Sequence, residues 1–187
     1  ALQAYYAALV AEHGEDIGLC PQADAPQAAA CPDAGLPGAA VAPRRILLML
    51  DASGSMAGRL DGRRKLDVAQ DALLAFASRL EGDAQVALRV YGHRGGNREQ
   101  DKPESCRASE LALPFGPRDP AGFEAAVRAF QPSGFTPIAA SLQAAARDFA
   151  AGGATADGNV VYVVSDGIET CDGDPAAAAR ALRASDI

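Results

Sequence analysis

Ile46-Leu47-Leu48-Met49-Leu50-Asp51-Ala52-Ser53-Gly54-Ser55 is the stretch that decides the fold. Its first five residues are apolar without alternation, the pattern of a central parallel strand covered by helices on both faces. The strand ends at Asp51, and the small residues after it let the chain turn tightly. Working outward, Leu66, Ala69, Leu73, Phe76, Ala77 and Leu80 recur at helical spacing, with Gly82 as a C-terminal stop. Val86, Leu88 and Val90 alternate with Ala87, Arg89 and Tyr91, which predicts a second strand. A short third strand is expected over residues 110–115, after a polar loop over 92–109.

Asp119-Pro120 opens another helix, with Asp as N-cap, Pro at the first helical position, and Phe123, Val127 and Phe130 inward. Thr136-Pro137 is expected to repeat the device, ahead of a stripe formed by Ile138, Leu142, Ala145, Ala146 and Phe149. Residues 160–164 then predict a buried strand, and Asp174-Pro175 opens a last helix running to about Ala184. Strands alternating with helices predict an α/β domain over residues 44–187: a doubly wound, mostly parallel sheet with helices on both faces. After the last helix another strand would normally return to the sheet by a right-handed crossover. The sheet is therefore expected to be one or two strands short at its C-terminal end.

Residues 1–43 read differently. A short Ala-rich helix over 2–12 precedes an Ala/Pro/Gly-rich tail over 21–43 that has no sustained period. With 187 residues and 49% hydrophobic side chains, one domain plus this tail is expected. The formal charge of −7 argues against nucleic acid as a partner, because that affinity comes from clustered Lys and Arg. No apolar run approaches the roughly 20 residues of a membrane span. Cys20, Cys31, Cys106 and Cys171 lack CxxC spacing and stand apart from the histidines, which argues against zinc. Their even number and loop placement favour two disulfides in an oxidising compartment over reduced thiols.

The chemistry-bearing residues lie in three segments. Asp51, Ser53 and Ser55 follow the first strand; Thr136 stands in Ser133-Gly134-Phe135-Thr136-Pro137; Asp166 follows the strand over 160–164. Carboxylates and hydroxyls are hard oxygen donors suited to a small hard cation such as Mg²⁺. Singly, each has a structural role: Asp51 capping a turn, the serines within it, Thr136 as a helix N-cap. If the first and fourth strands are neighbours in a 3-2-1-4 order, however, the three segments converge at the carboxyl ends of the strands.

At these residues the sequence resembles the von Willebrand factor type A domain family, whose metal-ion-dependent adhesion site combines DxSxS, a later Thr and a later Asp. The resemblance covers residues 44–187, and Tyr91-Gly92-His93-Arg94 and Glu169-Thr170-Cys171-Asp172-Gly173-Asp174-Pro175 look like a bacterial, exported subgroup. It implies that Ser53 and Ser55 bind the metal directly, Thr136 directly or through water, and Asp51 and Asp166 mostly through water and hydrogen bonds. The ion would be Mg²⁺, with Mn²⁺ or Ca²⁺ as alternatives, and its vacant position would take a Glu or Asp of a partner protein. The function implied is a non-enzymatic adhesion or assembly module, periplasmic, secreted or in the cell envelope, in which carboxylate binding and the position of the last helix are linked. In the assumed strand order Cys106 and Cys171 flank the metal loop and would pair beside it, while Cys20 would pair locally with Cys31.

Two other functions stay open. One is a metal-dependent hydrolase or phosphotransferase using Asp51 as nucleophile, against which stand the absence of a DxD pair, of a GxxxxGK[ST] loop and of a general base. The other is a structural envelope subunit whose site is unused. Glu169, Asp172 and Asp174 could hold a calcium ion at the rim, but Asp174 serves equally as the N-cap before Pro175. His93 is expected to be a loop hydrogen-bonder, and Arg94 could meet an acidic partner. The 92–109 loop would shape the choice of that partner.

Overall fold

A computed structural model describes residues 45–80, 84–117, 119–152 and 158–187. The expected boundary at residue 44, the helix over 2–12, the Cys20–Cys31 bridge and the Gly82 stop lie outside them. Strand β1 is Arg45–Asp51, buried at every position. It pairs in parallel with β4, Gln85–Tyr91, on one side and with β6, Asn159–Val164, on the other. Strand β5, Ser109–Gly116, adds antiparallel to β4 across an irregular register, so the order is β5-β4-β1-β6. The continuous apolar run is thus the middle of a mostly parallel sheet, as the sequence predicts.

The two faces of β1 feed two separate cores. Ile46, Leu48 and Leu50 point to one side, with Val86, Leu88 and Val90 of β4, and pack on Leu66, Ala69 and Leu73 of α1, Lys65–Ser78, and on Phe123 and Val127 of α3, Pro120–Arg128. Leu47 and Met49 point to the other, with Ala87 and Tyr91, against Leu142, Ala145 and Phe149 of α4, Ile138–Ala151, and Ala178 and Leu182 of α5, Pro175–Arg183. An alternating strand direction applied to an all-apolar run is what places helices on both faces.

Arg89 points from β4 into the second of these layers. Its Nε and Nη2 reach the two carboxylate oxygens of Asp148 on α4 at 2.6 and 2.7 Å, a bidentate pair in which both side chains are about nine-tenths buried. Arg45 is buried toward the other end of the same layer, bonded to Asn159 and to the Phe149 carbonyl, with its guanidinium over the Phe115 and Phe149 rings. Planar guanidinium groups tolerate such burial because they stack and bond in one plane.

Three expectations are corrected and one hairpin is added. Residues 160–164 are not a buried strand: β6 is the edge of the sheet among the described residues, and Tyr162 and Val163 are 42% and 41% exposed. An uninterrupted apolar run does not reveal whether a strand has neighbours on both sides. Thr136-Pro137 does not repeat the Asp119-Pro120 start, because α4 begins at Ile138 with Pro137 in the capping position and no side-chain cap. The loop over 92–109 contains a 3₁₀ turn, Glu99–Asp101, and one helical turn, α2, Lys102–Ser105. Finally, β2, Arg59–Leu60, and β3, Arg63–Arg64, form a small hairpin between the first loop and α1.

Candidate metal centre

The carboxyl ends of β1, β4 and β6 leave the same edge of the sheet, and backbone bonds stitch the loop after β1 to the end of β4 and to the loop between α3 and α4. Ala52 N donates to the Tyr91 carbonyl at 2.8 Å, Ser133 N to Ala52 at 3.0 Å, and Gly54 N to Gly134 at 2.8 Å. This closeness needs glycine. A Cβ at Gly134 would lie 1.9 Å from Ser105 Oγ, and one at Gly92, whose φ is +72°, would lie 2.9 Å from Ser53 N.

Within that frame four of the five predicted residues form one chain of contacts. Asp51 is fully buried; its Oδ1 accepts from Ser53 N at 2.7 Å and its Oδ2 from Ser165 Oγ at 2.6 Å. Ser53 Oγ lies 3.2 Å from Ser55 Oγ, and Ser55 Oγ donates to Asp166 Oδ1 at 2.7 Å. Thr136, the fifth, is buried, and it lines together with Ser55 an open cavity of about 300 Å³. Asn97, Phe135, Ile168 and Thr170 complete much of its wall.

The structural roles that would compete for the hydroxyls are not filled by them. Ser53 precedes the 3₁₀ turn Gly54–Ala57 without making a side-chain cap. Thr136 makes no cap to α4 either; the free amide of Ala139 bonds instead to Glu169 Oε2 at 2.8 Å. Glu169 Oε1 accepts from Cys171 N, and Asp174 caps α5 through Ala177 N. Asp172 pairs with Lys102. The three acids proposed for a rim calcium site are therefore engaged separately, and among the described residues no three His, Cys, Asp or Glu side chains converge anywhere.

The Thr136 segment is gripped from two sides. Phe135 N donates to Ser105 Oγ at 2.5 Å; Thr136 N donates to Thr170 Oγ1 at 2.7 Å, and Thr170 N returns to the Thr136 carbonyl at 3.1 Å. The residues next to these two grips, Cys106 and Cys171, are joined by a disulfide with Cα atoms 5.5 Å apart. The expected bridge thus closes a clamp around the loop that carries Thr136.

Three residues of the site were not anticipated. Ser165 holds the second oxygen of Asp51, and its place beside Asp166 was the available signal. Lys65, the first residue of α1, puts Nζ 2.5 Å from Asp166 Oδ2; nothing local in the sequence ties residue 65 to residue 166. Tyr91 lies opposite Asp51 in the β1–β4 register, and its buried hydroxyl, beside Asp51 and Ser165, makes no well-formed hydrogen bond among the described residues. Burial, then the charge of Asp51, push its phenol far above the ordinary tyrosine range.

The His93 side chain is largely covered in a half-buried stretch of chain, with Nε2 3.3 Å from Glu110 and Nδ1 without a partner among the described residues. Burial, and then Arg94, push its pKa down to about 4, so the imidazole is neutral at ordinary pH. Arg94, which could meet an acidic partner, pairs with Glu110 here. The five candidate side chains are two carboxylates and three hydroxyls, with no sulfur or imidazole among them. Such a set fits a hard, oxygen-seeking cation, with two carboxylates to balance a divalent charge.

The sequence profile described as von Willebrand factor type A domain matches residues 46–169. The Bacillus subtilis protein YwmD, itself uncharacterized, is 40% identical over 147 residues, which are 78% of this chain and 65% of that protein. This chain therefore spans less than two thirds of that relative's length. Among solved structures, a von Willebrand factor type A protein from Catenulispora acidiphila superposes with a TM-score of 0.54 at 21% identity, covering 77% of this chain and 31% of its own. The pilus adhesin SpaC of Lactobacillus rhamnosus GG superposes with a TM-score of 0.50 at 20% identity, covering 70% of this chain and 16% of its own. At these identities the structures establish the shared fold alone.

Proposed function

Because this chain belongs to the von Willebrand factor type A domain family, we propose that it is a protein-binding module of adhesion or assembly that holds a divalent cation at the strand ends and uses it to grip a partner's carboxylate. Mg²⁺ is the expected ion, with Mn²⁺ and Ca²⁺ as substitutes. Ser53, Ser55 and Thr136 would supply hydroxyl oxygens, and Asp51 and Asp166 would balance the charge directly or through waters. The bound ion supplies a Lewis-acid position that a Glu or Asp of the partner completes. The observation that carries this reading is the unbroken run of contacts from Asp51 through Ser53 and Ser55 to Asp166.

The chain's own residues prepare that site. Ser165 and the Ser53 amide fix the orientation of Asp51, while the two grips on Phe135 and Thr136 hold the second loop against the first. Lys65 places a positive charge on Asp166, so binding of a cation there would have to displace the ammonium or share the carboxylate with it. The pilus adhesin among the structural neighbours and the Cys106–Cys171 disulfide support an extracytoplasmic setting, periplasmic or secreted. Hydrolysis through Asp51 is the weaker reading, because the carboxylate is fully buried with a hydrogen bond on each oxygen.

Calorimetric titration with Mg²⁺ and with Mn²⁺ tests the proposal. Saturable one-site binding in the native chain, lost in Asp51→Ala, is expected. Absence of binding heat and of any thermal shift would leave the site a structural relic.

A further inference from the structure

The cavity beside the candidate metal centre joins two kinds of surface. Ser55, Thr136, Asn97 and Thr170 give its wall polar groups. Phe135 and Ile168 line it as well and give it apolar surface. Ile168 is 80% exposed, the most exposed of the large hydrophobic residues among those described, and it lies two positions beyond Asp166. A single exposed aliphatic residue is unremarkable on a protein surface. One that forms the rim of a concave site, beside a ring that also lines it, is placed to be covered when the site fills.

The charge of the wall narrows what can fill it. The chain carries −7 overall, yet among the described residues none that lines the cavity is acidic, and the Lys102 ammonium, paired with Asp172, lies 5.8 Å from the Phe135 ring centroid. A negatively charged head group meets no like charge in the wall, and an apolar tail meets Phe135 and Ile168.

We propose that Ile168 and Phe135 form an apolar lip that selects the residue next to the partner's acid. The preferred partner segment then carries an aliphatic or aromatic side chain beside its Glu or Asp, and a purely polar acidic segment binds poorly. This rests on the metal-dependent reading of the site and adds to it a specificity-determining pair of residues. The cavity of about 300 Å³ has room for a carboxylate and a branched side chain together.

A series of monocarboxylates separates the two ideas. Acetate, butyrate and 4-methylpentanoate present the same head group with growing apolar tails, and each can be titrated by NMR into the chain with saturating Mg²⁺ and with EDTA. Expected are Mg²⁺-dependent binding throughout, affinity rising roughly tenfold from acetate to 4-methylpentanoate, and loss of most of that gain in Ile168→Ser. The exposed position of Ile168 makes that variant safe for folding, and its Mg²⁺ affinity, measured by calorimetry, should equal that of the native chain. Mg²⁺-dependent binding with no dependence on the tail would overturn the apolar lip and leave the metal reading standing. Tail-dependent binding that persists in EDTA, or no binding of any carboxylate, would overturn the metal reading and this inference with it.

Discussion

Asp51 is a carboxylate without exposed surface whose oxygens accept hydrogen bonds from one amide and one hydroxyl, both uncharged. Burying a charge is costly unless it is paired, so a cation at the strand ends would offset a cost already built into the fold. Asp51→Asn keeps the shape and removes the charge. It should weaken Mg²⁺ binding on the order of 10- to 100-fold while the far-ultraviolet circular dichroism stays native. His93 gives a separate prediction. Its folded pKa of about 4 lies below the ordinary 6.5, so the unfolded chain binds the extra proton first as pH falls. Stability associated with the neutral ring is complete above about 6.5 and is lost progressively down to about 4. Urea midpoints measured across that window should slope with pH in the native chain and be flatter in His93→Gln.

Among the elements, the clamp around the Thr136 loop makes the sharpest prediction. The Cys106–Cys171 bridge spans 65 residues, and chain-entropy reasoning gives about 4 kcal/mol for a loop of that length. The paired change Cys106→Ser with Cys171→Ser should lower the urea midpoint accordingly. It should also weaken Mg²⁺ binding, because Ser105 and Thr170 then lose the covalent tie that holds them on either side of Phe135 and Thr136. A Mg²⁺ affinity unchanged by the double change would show that the loop holds its position without the bridge. Legibility in the sequence followed the same divisions. Residues 46–50 and the helix stripes were readable because burial on both faces leaves a continuous apolar run and burial on one leaves a period of 3.6. The hairpin at Arg59–Arg64 was signalled only by Asp61-Gly62, whose φ values of 49° and 81° suit a tight two-residue turn. Strands of two residues are too short to leave any period. Thr136 looked like a helix cap because Thr-Pro fits that role; that Glu169 supplies the cap from another loop is a tertiary fact.

At the scale of the whole molecule, the sheet order β5-β4-β1-β6 brings loops more than a hundred residues apart in sequence to one edge, as the Ser55–Asp166 contact records. The candidate residues Asp51, Ser53, Ser55 and Asp166 could be named from the sequence because the ends of β1 and β6 can be. Lys65 and Tyr91, which also reach the site, could not, since they depend on register and on which side chains turn inward, whereas Ser165 was signalled by its place beside Asp166. The Arg89–Asp148 pair ties β4 to α4 beneath the site, and breaking it with Asp148→Ala should cost about 3–5 kcal/mol by leaving a buried guanidinium unpaired, a loss visible in the urea midpoint.

Diffraction from crystals grown with Mn²⁺, recorded at the manganese edge, would locate the ion directly. One anomalous peak should appear within about 2.5 Å of both Ser53 Oγ and Ser55 Oγ, with Lys65 drawn away from Asp166. Crystals holding Mn²⁺ elsewhere, with no peak between those hydroxyls and the Lys65–Asp166 bridge intact, would contradict the assignment of a metal to this site.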